Sequence, residues 1–224
     1  YPLRRQRQMC IRDRYWIGFT LRHMIEIFLL RPGETLWNME GRFQGKLDSA
    51  LTERGLRQAI HLGGILAGVL GCSTTLPLHV SPLGRALETA KIVGQHVCFA
   101  DMMVPDFRLQ EVSAGSWDGL THEEIEAGWP GVLEGSDQFD WYFRSPDGET
   151  LDKALGRVRS WLNELDGPVV VVSHGLLGRL MRGLWAGMSP AEMLRLPVPQ
   201  DLVWHLTESG IHQIPVPIDM PAKT

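Results

Sequence analysis

Three apolar runs in this chain end in residues that can grip an anion. Residues 25–30 lead into Arg31, with Asn38, Arg42 and Gln44-Gly45 close behind. Leu78-His79-Val80 leads into Ser81-Pro82-Leu83-Gly84-Arg85, and Val169-Val170-Val171-Val172 into Ser173-His174-Gly175. A guanidinium meets a phosphate through paired N–H donors and keeps its charge at any ordinary pH. A helix opening at Gly175 would add unpaired backbone N–H groups and the positive end of its dipole. Arg85, also at a helix start, is a cation placed against the local dipole preference, which favours a functional reason for it. Arg31, Arg85 and His174 together predict a cationic pocket able to grip a phosphate.

For these residues to meet, the runs must be strands whose carboxyl ends share one edge, since ligands of parallel sheets bind there. Residues 25–30 and 169–172 are continuous apolar runs, the pattern of strands buried on both faces. Apolar spacing predicts helices over 52–70, closed by Gly71, over 83–97, and from Gly175 to about 185. Residues 202–206 and 211–214 read as a closing strand pair with Ser209-Gly210 as the turn. The stretch from about 115 to 148, rich in Gly, Trp and Asp, reads as an irregular excursion over the active face. Thr121-His122-Glu123-Glu124 is a capping box opening a short helix within it. Strands alternating with helices predict an α/β three-layer sandwich, a mostly parallel sheet with helices on both faces.

The 224 residues suffice for one such domain, and 44% apolar with 21% charged content is ordinary for a globular chain. A net charge of −4 gives no reason to expect nucleic acid. Cys10, Cys72 and Cys98 form neither a disulfide framework nor a zinc spacing, which favours a reducing cytoplasm. No apolar run reaches the ~20 residues needed to span a bilayer. Residues 1–23 stand apart: Arg4, Arg5, Arg7, Arg12 and Arg14 make a basic cluster, and residues 6–14 resemble a translated sequencing adapter. They are expected to be a non-native or disordered leader with Met24 as the start, 24–214 the domain, and 215–224 an extended tail.

The motifs in order are similar to those of the histidine phosphatase superfamily, the phosphoglycerate mutase-like fold, from about 25 to 206. Arg31-Pro32-Gly33-Glu34-Thr35 resembles the family's arginine–histidine–glycine–glutamate–threonine motif. Trp37-Asn38, Gly41-Arg42-Phe43-Gln44-Gly45, the run from Asp48 to Gly55, the Ser81–Ala90 run, Glu111, Gly115-Ser116-Trp117-Asp118-Gly119, Asp147-Gly148-Glu149-Thr150 and Ser173-His174-Gly175 follow at the family spacing. The resemblance implies phosphomonoester hydrolysis through a phosphohistidine. Residues matching Arg31, Arg85 and His174 hold the equatorial oxygens, and Glu111 protonates the leaving oxygen and then activates water. Asn38, Gln44, Gly45 and Gly175 lie near the substrate, a small phosphorylated metabolite. No metal or organic cofactor is implied. About 60 residues separate Glu111 from His174, which favours the phosphatase branch over mutases with a longer insertion. Sugar phosphates, phosphoserine, an α-ribazole-type phosphate and nucleotides all stay open as substrates, as does the oligomeric state. A dinucleotide-binding domain is disfavoured, because no GxGxxG or P-loop follows the first strand.

The departure is Pro32, which stands where the resemblance places the nucleophilic histidine. Proline offers no nucleophile and no backbone N–H. The fold survives it, because the residue before a proline favours the extended geometry natural to a strand end. Turnover should not, since losing the nucleophile costs on the order of 10⁶ in one well-studied hydrolase. Three accounts compete: a pseudoenzyme kept for binding, a single-base error (favoured by the adapter-like leader), and a deliberate inactivating change. The alternative readings are a non-catalytic binder of phosphate ligands and a phosphoglycerate mutase-type isomerase.

Overall fold

A computed structural model describes residues 25–99, 103–136 and 140–214. The leader and the tail expected from the sequence lie outside these residues. The elements in chain order are β1 (Ile27–Leu30), α1 (Leu36–Met39), α2 (Glu53–Leu70), β2 (Leu78–Val80), α3 (Gly84–Val93), β3 (Met103–Pro105), α4 (His122–Gly128), α5 (Leu151–Asn163), β4 (Val169–Val172), α6 (Gly175–Ala186), α7 (Pro190–Leu194), β5 (Val203–Thr207) and β6 (Gly210–Ile214).

The strands form one sheet in the order β3-β2-β4-β1-β5-β6. β3, β2, β4 and β1 run parallel, while β5 and β6 are antiparallel additions at the β1 edge. Strand alternation explains why β1 and β4 read as unbroken apolar runs. Ile27, Leu29, Val169 and Val171 enter one core with α5 and α6, including Leu155, Trp161, Leu177 and Leu180. Phe28, Leu30, Val170 and Val172 enter the other with Leu62, Ile65 and Leu66 of α2 and Ala86 and Val93 of α3. The expected α/β sandwich is the observed architecture. A third cluster, built on Trp117, Ile125 and Trp141, underlies the irregular excursion.

The register sets the site. Leu30 and Val80 both pair with Val172, so Arg31, Ser81 and Ser173 leave the sheet at one level. The ladder extends one bond past the strands, with Ser173 N–H donating to Leu30 (3.1 Å) and Ser81 N–H to Val172 (3.0 Å).

Two boundaries differ from the sequence expectation, and α5 and β3 were not expected at all. The helix predicted over 83–97 ends at Val93, where Gly94 has little reason to extend it and Gln95 and His96 close tight turns onto Ile92 and Val93. The final hairpin turns at Glu208-Ser209, with Gly210 (φ 134°) opening β6. Helix α5 was named by no expectation, although Thr150 caps it and Leu151, Ala154, Leu155, Val158 and Trp161 have helical spacing. Strand β3 is three residues long and mostly exposed, with no alternation to reveal it.

Two glycines lock the loop after β1 onto α2. A Cβ on Gly33 would lie 2.2 Å from the Gly55 carbonyl oxygen, and one on Gly55 would lie 2.1 Å from that of Glu34. Both clashes are with backbone, so no side chain can yield. Gly55→Ala is therefore expected to destabilise the fold by about 1–3 kcal/mol, read as a lower urea midpoint. An unchanged midpoint would show that loop and helix separate freely.

Candidate functional site

One crevice at the carboxyl edge of the sheet brings together the catalytic and substrate-binding candidates read from the sequence. Arg31, Pro32, Asn38, Gln44, Gly45, Arg85, Glu111, His174 and Gly175 all line it. Arg42, Arg179, Tyr142, Phe43, Val198 and Gln200 complete its walls. It encloses about 740 Å³, open solvent at its mouth included. Four arginines line it beside the carboxylate of Glu111, two of them paired with acids outside the lining, Arg42 with Glu124 and Arg85 with Asp48.

The loop from Arg31 to Thr35 is fixed residue by residue. Gly33 N–H donates to Thr89 Oγ1 (3.3 Å) and Glu34 N–H to Gln58 Oε1 (2.8 Å). Thr35, fully buried, caps α1 in a reciprocal box with Asn38. The Pro32 carbonyl accepts from Gln200 Nε2 (3.3 Å), which also reaches Asn38 Oδ1 (3.2 Å). Proline's missing N–H thus leaves the loop intact. Arg31 follows β1 and donates to the Val198 carbonyl. Its Nε would lie 3.3 Å from a Cβ on Gly175, so glycine there lets the guanidinium settle against the start of α6. Burial draws its pKa down, opposed chiefly by the charge of Glu111, yet an arginine remains charged.

Arg85 is buried at the start of α3 and is held by carbonyls and an acid. Its guanidinium donates to Leu47 (2.6 Å) and Gly45 (2.9 Å) carbonyls and pairs with Asp48 at 3.0 Å. Asp48 also accepts the Gly84 and Arg85 backbone N–H groups. The carboxylate supplies the negative charge that the helix start lacks, so Arg85's position against the dipole has a structural counterpart that the sequence did not show. Gly45 has φ 48°, and a Cβ on it would lie 1.7 Å from Asp118 Oδ1. Only glycine fits where this loop meets the Ser113–Asp118 turn.

Glu111 is held by backbone donors. Its Oε1 accepts from Val112 (2.9 Å) and Leu177 (3.0 Å) N–H, and Oε2 from Leu176 (3.1 Å). It thereby caps α6 from outside the helix. Two oxygens with four acceptor sites leave one, on Oε2, for a ligand. His174 is buried at the N-cap of α6, with Nε2 2.7 Å from Ser81 Oγ. Desolvation, then the charges of Arg85 and Arg31, hold its imidazole well below the ordinary 6.5, so it is neutral.

The sequence reading missed Arg179, Tyr142 and Gln200 as pocket residues. Arg179 was reachable, because it lies four residues after Gly175 on the same helix face. Tyr142 and Gln200 come from segments without periodicity. Arg42 lines the mouth and is committed to Glu124 through two hydrogen bonds, 2.7 and 3.0 Å. Trp117 lies in the aromatic cluster beneath the excursion rather than in the pocket wall. Among the described residues no cluster of His, Cys, Asp and Glu could hold a metal ion, and no helix is long and apolar enough to cross a membrane.

Comparison with known proteins gives a consistent set. The family model described as "Histidine phosphatase superfamily (branch 1)" matches residues 27–211. The chain is 35% identical over 186 residues to glucosyl-3-phosphoglycerate phosphatase of Mycobacterium tuberculosis, covering 77% of this chain and 76% of that protein. It is 37% identical over 163 residues to a Salmonella typhi protein named "Probable phosphoglycerate mutase GpmB", covering 68% and 71%. A solved structure of mycobacterial glucosyl-3-phosphoglycerate phosphatase in complex with VO3 superposes with a TM-score of 0.69 at 28% identity, covering 84% of this chain and 96% of that one.

The neutral His174 has a consequence for stability. Below pH 6.5 the unfolded chain takes up a proton at this residue and the folded chain does not, so stability falls as the pH falls. Between pH 7 and 5 the chain should lose stability faster than its His174→Gln variant, by up to about 1.4 kcal/mol per pH unit. His79 is also held low, by burial, but it titrates alike in both proteins. Urea midpoints across the range decide it, and equal slopes would mean that His174 protonates freely in the fold.

Proposed function

This chain belongs to the histidine phosphatase superfamily, branch 1, and on that premise we propose that its crevice binds the phosphoryl group of a small phosphate monoester and turns it over feebly or not at all. The observation that carries the reading is the convergence of Arg31, Arg85, His174 and the start of α6 on one cavity with a single carboxylate. A dianion placed there meets guanidinium donors from β1 and α3, which stabilise charge on its equatorial oxygens. Neutral His174 contributes a hydrogen bond without competing for a proton. Glu111, held at the start of α6, keeps one open acceptor site, through which a carboxylate can pass a proton to a leaving oxygen or take one from water.

What the wall lacks is a nucleophile at residue 32. Phosphoryl transfer through phosphohistidine needs an imidazole nitrogen in line with the leaving oxygen. Pro32 supplies none, and His174 is engaged with Ser81. Water held against the arginines and activated by Glu111 is the remaining route. The loop geometry favours a scaffold that lost one group over long divergence: the capping box of Asn38, the Gly33 contacts and the carbonyl of residue 32 all keep their partners. The relatives include a phosphatase and a protein named as a mutase. The short span between Glu111 and His174 supports the phosphatase reading.

Hydrolysis of p-nitrophenyl phosphate by this chain and by its Pro32→His variant tests the proposal. The chain should bind orthovanadate and show turnover close to background. The variant should gain at least about a thousandfold, a fraction of what a nucleophile is worth elsewhere. A second change, Arg31→Ala, should abolish that gain. A variant that stays inactive while binding vanadate would favour the non-catalytic binder, and failure of both to bind any phosphate analogue would remove the reading.

A further inference from the structure

Five residues between α7 and β5 cross the rim of the crevice: Leu196, Pro197, Val198, Pro199 and Gln200. Three successive carbonyls of this strap each accept from an arginine. Leu196 accepts from Arg179 Nε (2.6 Å), Pro197 from Arg182 Nη2 (2.5 Å), and Val198 from Arg31. The strap answers at its far end, where Gln200 Nε2 donates to the Pro32 carbonyl and Asn38 Oδ1. One short segment therefore touches Arg31, Pro32 and Asn38 together.

Arg182 stands out among the donors. It is 2% exposed, and its hydrogen bonds run to the carbonyls of Gly178 and Pro197 while its guanidinium lies 4.2 Å over the Trp204 ring. Burial, with Arg179 beside it, brings it down to about 10. A buried cation satisfied by carbonyls and a ring face is costly to keep, where a methionine of similar length would fill the space. Its placement is explained by what it holds. The two prolines fit the same purpose. They remove N–H donors from the strap and restrict its backbone, which leaves its carbonyls as the groups available for gripping. A small cavity bordered by Arg31, His174, Arg182, Pro199 and Trp204 lies beneath, so packing alone does not seat the strap.

We propose that Arg182 and Gln200 are positioning residues: they seat the 196–200 strap so that the Val198 carbonyl aims the Arg31 guanidinium and the Gln200 amide fixes residue 32 and Asn38. This rests on the phosphate reading of the same crevice. Arg182 does not touch the ligand and acts through the strap. Gln200 lines the crevice and acts on the loop that carries residue 32.

Calorimetric titration of the full chain with inorganic phosphate and orthovanadate separates the two ideas. If the unaltered chain takes up neither, the phosphate reading fails and this inference with it. If it binds, Arg182→Met and Gln200→Leu should each weaken phosphate about tenfold, the scale on which small misplacements of a binding group are felt. Arg182→Lys, which keeps a donor and a charge, should recover most of the loss. In the absence of phosphate, the Nε–Hε resonance of Arg31 should move in both Arg182→Met and Gln200→Leu, a change that general loosening of the core would not confine to that group. Unaltered phosphate affinity and an unmoved Arg31 resonance in Gln200→Leu would overturn the inference alone. Gln200 is only partly buried, so that arm stands even if Arg182→Met does not fold.

Discussion

Positive charge held out of water at the carboxyl edge of a parallel sheet is the constraint around which this molecule is arranged. A desolvated guanidinium is unfavourable unless its donors are met. Here they are met largely by backbone carbonyls: Val198 for Arg31, Leu47 and Gly45 for Arg85, Pro197 and Gly178 for Arg182, Arg108 and Gln110 for Arg157. Carboxylates supplement two of them, Asp48 for Arg85 and Glu149 for Arg157. The loops of the site are thus wrapped around arginines, and each loop's path is set by the carbonyls it must present. Arg157 shows this furthest from the crevice, because by holding the carbonyls of 108 and 110 it delivers Glu111 to the start of α6.

Much of this was legible in the chain. β1 and β4 could be read because burial on both faces leaves an unbroken apolar run. The polar residues that follow them could be read because sheet topology assigns strand ends to ligands. Asn38, Gln44 and Gly45 came through motif resemblance, which carries geometry that no local pattern encodes. The structure adds reasons the sequence hid. Asn38 is a capping residue as well as a wall residue, and Asp48 answers the charge that made Arg85 look anomalous. The part least legible was the strap. Its contacts span more than 160 residues to Arg31 and Pro32, and hydrogen bonds accepted by backbone carbonyls leave no signature in side-chain type.

Pro32 bears on chemistry and on fold in different ways. The loop that holds it uses the carbonyl of residue 32 and the N–H groups of Gly33 and Glu34, so the backbone asks nothing of residue 32 that proline lacks. The position is structurally permissive, and on the proposed reading it is chemically demanding. Such a site tolerates a change that an assay for folding would pass and an assay for turnover would not.

The reversal of direction at β5 reaches beyond the sheet itself. An antiparallel neighbour begins where β1 finishes, which is how a segment preceding β5 comes to border the crevice. The same reversal carries Thr207 and the Glu208-Ser209 hairpin to the opposite end of the molecule, past Ile27. A fluorophore or affinity handle grafted at that tip would sit a full sheet length from the crevice.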